Sequence, residues 1–211
     1  MVRVDAAGCD QRSVMGIFSG LFRSKRSIPV ENSFEKMPIF HQLLQFPFPL
    51  DWPLEPLYRE LEEGRFVIEF SAAGQSRENW QDKLIIQGFN NANDDVDMNA
   101  RMLLKMMKEE MRALNEESFY YEELYSDTVL TREKMAVLMG LKELPDDKSR
   151  GQFGLYMVLE GEHDIYIVQR SWKGRTDEKE GYVMTRAELD AWLADFKKIE
   201  LLDKSALPEG M

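Results

Sequence analysis

Two histidines, His41 and His163, and one cysteine, Cys9, are all the imidazole and thiol groups in this 211-residue chain. A structural zinc site takes four such ligands, so count alone nearly excludes it. NANDDVD places Asn91, Asn93 and Asp95 at alternate positions, as a calcium loop does. Val96 stands where that loop needs its turn glycine, however, and Met102 where it needs a bidentate glutamate. Capping of a helix is the simpler use of Asn93, Asp94 or Asp97. SAAGQSRENWQDKLIIQGF (71–89) has one turn glycine, Gly74, no Gly-Lys-Ser/Thr, and an apolar run after the turn. It reads as a strand–turn–strand corner rather than a phosphate loop, with Trp80 as a packing residue.

Nucleophilic serine chemistry finds no G-x-S-x-G, and His163 sits in an expected hairpin tip, GEHD. His41 reads as a packed or surface histidine. Adjacent acids such as Glu122–Glu123 and Asp146–Asp147 recur among 38 carboxylates, so adjacency points to a solvated face before it points to acid–base work. QRSWKGR stands out. Its Arg170, Trp172, Lys173 and Arg175 set an aromatic among cations on an acidic chain, the side-chain mix favoured at interaction hot spots, and form the candidate partner-binding group.

The elements that must position these residues follow from periodicity. Phe34–Trp52 carries prolines among aromatics and is expected as an irregular apolar strap. Residues 65–72 alternate as a half-buried strand, and Lys83–Phe89 is apolar on both faces, as an interior strand is. Ala100, Leu103, Leu104, Met107, Met111 and Leu114 form one stripe of a helix over 97–115, with Met98, Met102 and Met106 on a neighbouring strip. SFYYEELY and MAVLMGLKEL read as strands. FGLYMVLE and DIYIVQRSW read as a hairpin. Thr185 and Glu188 have capping-box spacing before a terminal helix over 185–199.

Residues 1–30 hold five basic and two acidic residues, which leaves −14 on the other 181 of a chain whose net charge is −11. Such a body repels nucleic acid. Ile17, Phe18, Leu21 and Phe22, followed by Arg23, Lys25 and Arg26, offer an alternative role in contacting an anionic membrane surface. A loosely ordered tail is the simpler reading. No run approaches the length of a membrane span, and one cysteine suits a reducing compartment.

In order, Pro49–Leu50–Asp51–Trp52, FVIEF, NWQDKLIIQGF, a helix, a run of strands and a C-terminal helix resemble the PsbP/Mog1-like α+β sandwich, from Phe48 to Ile199 in layout. ENWQDKLIIQ is similar to a stretch of uncharacterised bacterial proteins. The resemblance implies a protein-binding scaffold and carries over no catalytic residue.

The expected protein is thus α+β, with a mainly antiparallel sheet of about six strands against two main helices. A basic segment (1–33) precedes one domain (34–202), and a short tail (203–211) follows it. Its expected role is a non-enzymatic protein-interaction module in the cytoplasm, with no cofactor. The rival expectation is a metal-independent enzyme or small-ligand binder, in which Tyr120, Tyr121 and a carboxyl of raised pKa line a cleft.

Overall fold

The computed structural model describes residues 32–92, 98–129, 132–175 and 185–204. Among these residues ten strands and two helices follow one another. They are β1 (Asn32–Ile39), β2 (Gln42–Pro49), β3 (Tyr58–Glu62), β4 (Arg65–Ser71), β5 (Asp82–Phe89), α1 (Ala100–Leu114), β6 (Phe119–Val129), β7 (Arg132–Leu141), β8 (Arg150–Glu160), β9 (Ile165–Arg175), α2 (Arg186–Phe196) and β10 (Glu200–Asp203). The protein is α+β, as expected, but the strands divide between two sheets. A seven-stranded antiparallel sheet runs β3-β4-β5-β9-β8-β7-β6, and a three-stranded one runs β1-β2-β10.

The middle of the large sheet is covered on both sides, and its sequence shows it. On one face Phe66, Ile68, Phe70, Leu84 and Ile86 pack against the small sheet and the Trp192 and Phe196 side of α2. On the other, Val137, Met139, Val158 and Ile167 pack under Ala100, Leu103 and Leu104 of α1. Strands β7 and β8 are buried nearly throughout, so they read as continuous apolar runs rather than as alternation. Val67, which lies between Phe66 and Ile68 on the opposite face of β4, is buried as well.

The strap expected over 34–52 is instead the β1–β2 hairpin, with Asn32 opposite Pro49 and Ile39 opposite Gln42. Prolines are tolerated there because ladder bonds are missing where they fall. Pro38 lies on the edge strand β1, and β10 pairs with β2 only over Gln42–Gln45, leaving the stretch with Pro47 and Pro49 without a second neighbour. Strand β10 itself comes from ELLD, too short for its period to be legible.

Helix α1 begins at Ala100, later than the sequence suggested. Its cap is Asn99, whose side chain accepts from Met102 N, while Asn93, Asp94 and Asp97 lie outside the described residues. Met107 and Met111 are half-buried and Leu114 is exposed, so the apolar stripe fades toward the C-terminus. Met102 and Met106 are exposed. The Thr185–Glu188 capping box of α2 is present in both directions. Such caps contribute about 1 kcal/mol.

Candidate functional site

Strand β9 pairs with β5 and β8, and its pleat sends successive residues of QRSWK to opposite sides. Arg170 and Trp172 face the small sheet and α2. Gln169, Ser171 and Lys173 face the side on which α1 covers β6, β7 and β8. The four residues singled out in sequence therefore do not form one patch. Arg170 is 1% exposed and is interior. Trp172 is partly buried against the core. Lys173 remains on the outer face, and Arg175 is paired in register with Arg150.

The outer face around Lys173 is basic and aromatic. Lys83 Nζ lies 4.6 Å and Lys173 Nζ 4.3 Å from the Trp80 ring centroid. Lys83 Nζ also donates to Glu69 Oε2 at 2.8 Å, a buried pair. The Arg77 guanidinium stacks 3.6 Å over Tyr58 and reaches to 4.0 Å from Glu69. Burial lowers the pKa of the Lys173 amine, and the like charges of Lys83 and Arg150 lower it further. Beneath them, Gln169 Nε2 donates to Ser171 Oγ (2.5 Å) and Tyr156 Oη (3.2 Å), so the floor is polar but internally satisfied. The 72–81 turn is tied down by Gln75, whose side-chain oxygen accepts from Gln81 N at 2.8 Å. Gly74 supplies a left-handed residue (φ 81°). The segment is thus a sheet corner, and Trp80 is 7% exposed.

Behind this surface, on the inner face, the Arg170 guanidinium lies between the indoles of Trp52 (4.1 Å) and Trp192 (4.4 Å) and donates to Asp82 through Nη2. Nε and Nη1 of Arg170 and Oδ1 of Asp82 are buried without a protein hydrogen-bond partner among the described residues. Burial pushes the Asp82 carboxyl up to about 6, the Arg170 charge pulling the other way. Because the folded value lies above the unfolded one, the native state holds a proton that the unfolded chain has lost between about pH 4 and 6. This group's contribution to stability therefore falls as pH rises through that window. The expected result is an Asp82 carboxyl carbon resonance titrating with a midpoint near 6. A midpoint below about 4 would show that the guanidinium outweighs burial.

A second cluster was not legible in sequence. Asp164, fully buried, accepts from His41 N (3.0 Å), Asn91 N (2.9 Å) and Tyr166 Oη (2.7 Å), and pairs with His41 Nδ1 (3.0 Å). Burial alone would raise this carboxyl, but those hydrogen bonds together hold it below its ordinary value. His41 and His163, far apart in the chain, meet edge to face at 5.2 Å. They do so at the surface, with the His41 side chain 49% exposed, and Asp164 serves to pin loops. The only sequence signal was the acid beside His163 in GEHD.

A cleft of about 450 Å³ lies elsewhere, lined by Tyr125, Asp127, Val129, Lys134, Leu159, Lys197, Glu200 and Leu202 among others. Lys134 Nζ closes one wall by donating to the carbonyls of Lys197 (2.7 Å) and Ile199 (2.6 Å). Tyr120 and Tyr121 are not among the lining residues, and the carboxyl of raised pKa, Asp82, is not there either. The parts expected of a reaction cleft do not converge. Among the described residues no group of three or more His, Cys, Asp or Glu is placed to hold a metal ion, and no helix is long and apolar enough to cross a membrane. The membrane-contact candidates Ile17, Phe18, Leu21, Phe22, Arg23, Lys25 and Arg26 lie outside the described residues.

Two packed sheets with a helix on each side of the larger one define a PsbP/Mog1-like α+β fold, as the resemblance implied. Among solved structures, the chain is similar to the Ran-binding protein Mog1p of Saccharomyces cerevisiae, with TM-score 0.50 and 12% identity over 84% of this chain and 100% of that one. It is also similar to the cyanobacterial PsbP of Synechocystis sp. PCC 6803, with TM-score 0.45 and 11% identity over 87% of this chain and 94% of that one. LpqN of Mycobacterium tuberculosis, involved in cell envelope biogenesis, is similar with TM-score 0.40 and 13% identity over 81% of this chain and 92% of that one. No protein-family model matches the sequence, and no curated protein matches it. At such identities the likeness is one of fold.

Proposed function

We propose that this protein is a non-enzymatic interaction module of the cytoplasm. It binds another protein through the outer face of the large sheet beside α1. The observation that carries this reading is that Arg77, beside Tyr58, and Lys173, over Trp80, reach the surface above the buried Lys83–Glu69 pair, in a chain whose net charge is −11. Cations whose stems lie along aromatic rings are held in place before a partner arrives, which lowers the entropic cost of docking. That a protein of the same fold is a Ran-binding protein supports a scaffold role without specifying the partner here.

The test is proximity cross-linking in the native cell with the full chain, followed by titration calorimetry against the purified partner. The reading expects cross-links to map to the 72–83 corner and to Lys173. Affinity should fall about tenfold or more in Lys173→Glu, as it does when a charge at an interface is reversed. Recovery of no specific partner would refute the reading, and so would a partner whose affinity Lys173→Glu leaves unchanged.

A further inference from the structure

We infer that the ligand of this outer face is an extended acidic segment of a partner protein, with carboxylates at alternate positions. The inference rests on the interaction-module reading and adds the chemistry of the occupant. Strands β5, β9 and β8 lie side by side. Lys83 is opposite Ser171, Lys173 is opposite Gln152, and Arg150 is two residues further along β8 on the same face. Arg77 flanks them from the 72–81 turn, above Tyr58.

Glu69 is bonded to Lys83 and lies 4.0 Å from Arg77, and Glu60 hydrogen-bonds Tyr58 beneath Arg77. Lys173 and Arg150, by contrast, form no ion pair among the described residues, the charge of Asp146 acting on Lys173 without bonding it. Lys173 and Arg150 are therefore the cations left for a ligand, on a strongly negative protein. Burial opposes the Lys173 charge, and Lys83 and Arg150 also repel it. An incoming carboxylate relieves that repulsion.

Spacing selects the form of the ligand. Neighbouring strands are about 4.8 Å apart, so cations spread over β5, β9 and β8 span about 10 Å. Alternate side chains on one face of an extended peptide repeat every ~7 Å, so two or three carboxylates fall within reach of the group. A nucleic acid fits poorly. Its phosphates would meet the small basic corner but also the field of the acidic body around it.

The experiment uses the full chain and a fluorescein-labelled peptide alternating glutamate with serine, followed by fluorescence anisotropy. The expected result is binding at low salt that weakens steeply toward about 0.5 M, where the screening length falls to a few ångströms. Lys173→Glu/Arg150→Glu should raise Kd about tenfold or more. Lys36→Glu/Lys105→Glu makes the same change in net charge at exposed positions elsewhere and should leave Kd within about twofold once salt screens the general field. Lys173→Gln/Arg150→Gln is the milder pair should the reversal unfold the protein, and it should still weaken binding.

Absence of binding at low salt would overturn the inference, as would equal weakening by both charge reversals. Displacement by inorganic phosphate at low millimolar concentration would reassign the site to a phosphate group and overturn the carboxylate assignment. A natural partner that cross-links to this face while the glutamate peptide fails to bind would leave the interaction module standing and remove only the acidic ligand.

Discussion

Arg170→Ala is expected to lower the free energy of unfolding by about 3 kcal/mol, the low end of the range for a buried ion pair, because the Asp82 side chain left behind is 28% exposed. The substitution leaves the Asp82 carboxyl without its guanidinium partner and removes the cation held between Trp52 and Trp192. Each indole contact with a desolvated cation is worth about 1–2 kcal/mol, and the space left between two rings adds a cavity cost.

Desolvation opposes the stability of this arrangement, since two of the three Arg170 guanidinium nitrogens are buried without a hydrogen-bond partner among the described residues. The double variant Arg170→Met/Asp82→Leu therefore discriminates between mechanisms. If unpaired charge dominates the loss, replacing both members by apolar groups recovers most of it. If stacking on the tryptophans dominates, the double variant stays as unstable as Arg170→Ala. Urea denaturation at neutral pH measures both. A loss below about 1 kcal/mol in Arg170→Ala would show that neither matters.

The second large effect is expected at Asp164. Asp164→Ala strands the His41 and Asn91 amides, which both donate to this one buried carboxylate, and leaves the His41 ring without its partner, while the Tyr166 hydroxyl keeps the Ile39 carbonyl (3.1 Å) as its acceptor. A buried donor left unsatisfied costs about 1–3 kcal/mol, so a loss of about 3–5 kcal/mol is expected after local relaxation.

The carboxylate also secures strained backbone. Phe40 (φ 47°) and Asn91 (φ 52°) both occupy the left-handed region, unfavourable for an aromatic residue above all, and Asp164 grips the amide of His41 next to one and of Asn91 itself. Amide exchange at His41 and Asn91 should accelerate well before that of β8 and β9. Tyr166→Phe removes one donor and should cost only about 1 kcal/mol. The native carboxyl has a lowered pKa, so its contribution is present above the unfolded value of 3.8 and disappears as pH falls through the folded one. The gap between wild type and Asp164→Ala should accordingly close in acid. A gap that persists unchanged would indicate packing rather than the ionised hydrogen bonds.

These two residues show how unevenly the chain could be read. In β9 the residue types are conspicuous, since QRSWKGR mixes an aromatic with cations. The pleat assigned Arg170 to the interior and Lys173 to the outside, and a single sequence does not say which parity of a strand faces out when both faces are covered. Trp52, Trp80 and Trp192 were legible only as large apolar residues. That two of them enclose Arg170 while the third carries two lysines follows from the meeting of a loop, a sheet corner and a helix. Asp164 gave almost no signal, because a lone acid in a turn looks like any solvated tip until it is surrounded by donors from distant loops.

What the sequence determined by itself was local. The 3.6-residue stripe gave the middle of α1, Thr185 and Glu188 gave the start of α2, and turn residues between apolar runs gave the β4–β5 corner and the β8–β9 hairpin. Each is fixed by contacts within a turn or two of chain, where propensity and capping act directly. Tertiary structure decided the rest. It folded the proline-rich stretch into β1 and β2, recruited ELLD as β10, buried Arg170, and gathered three loops on Asp164. The physical reason is that strand pairing and charge burial depend on which distant partner arrives. A backbone amide, a guanidinium and a carboxylate acquire their energies from neighbours that no local period encodes.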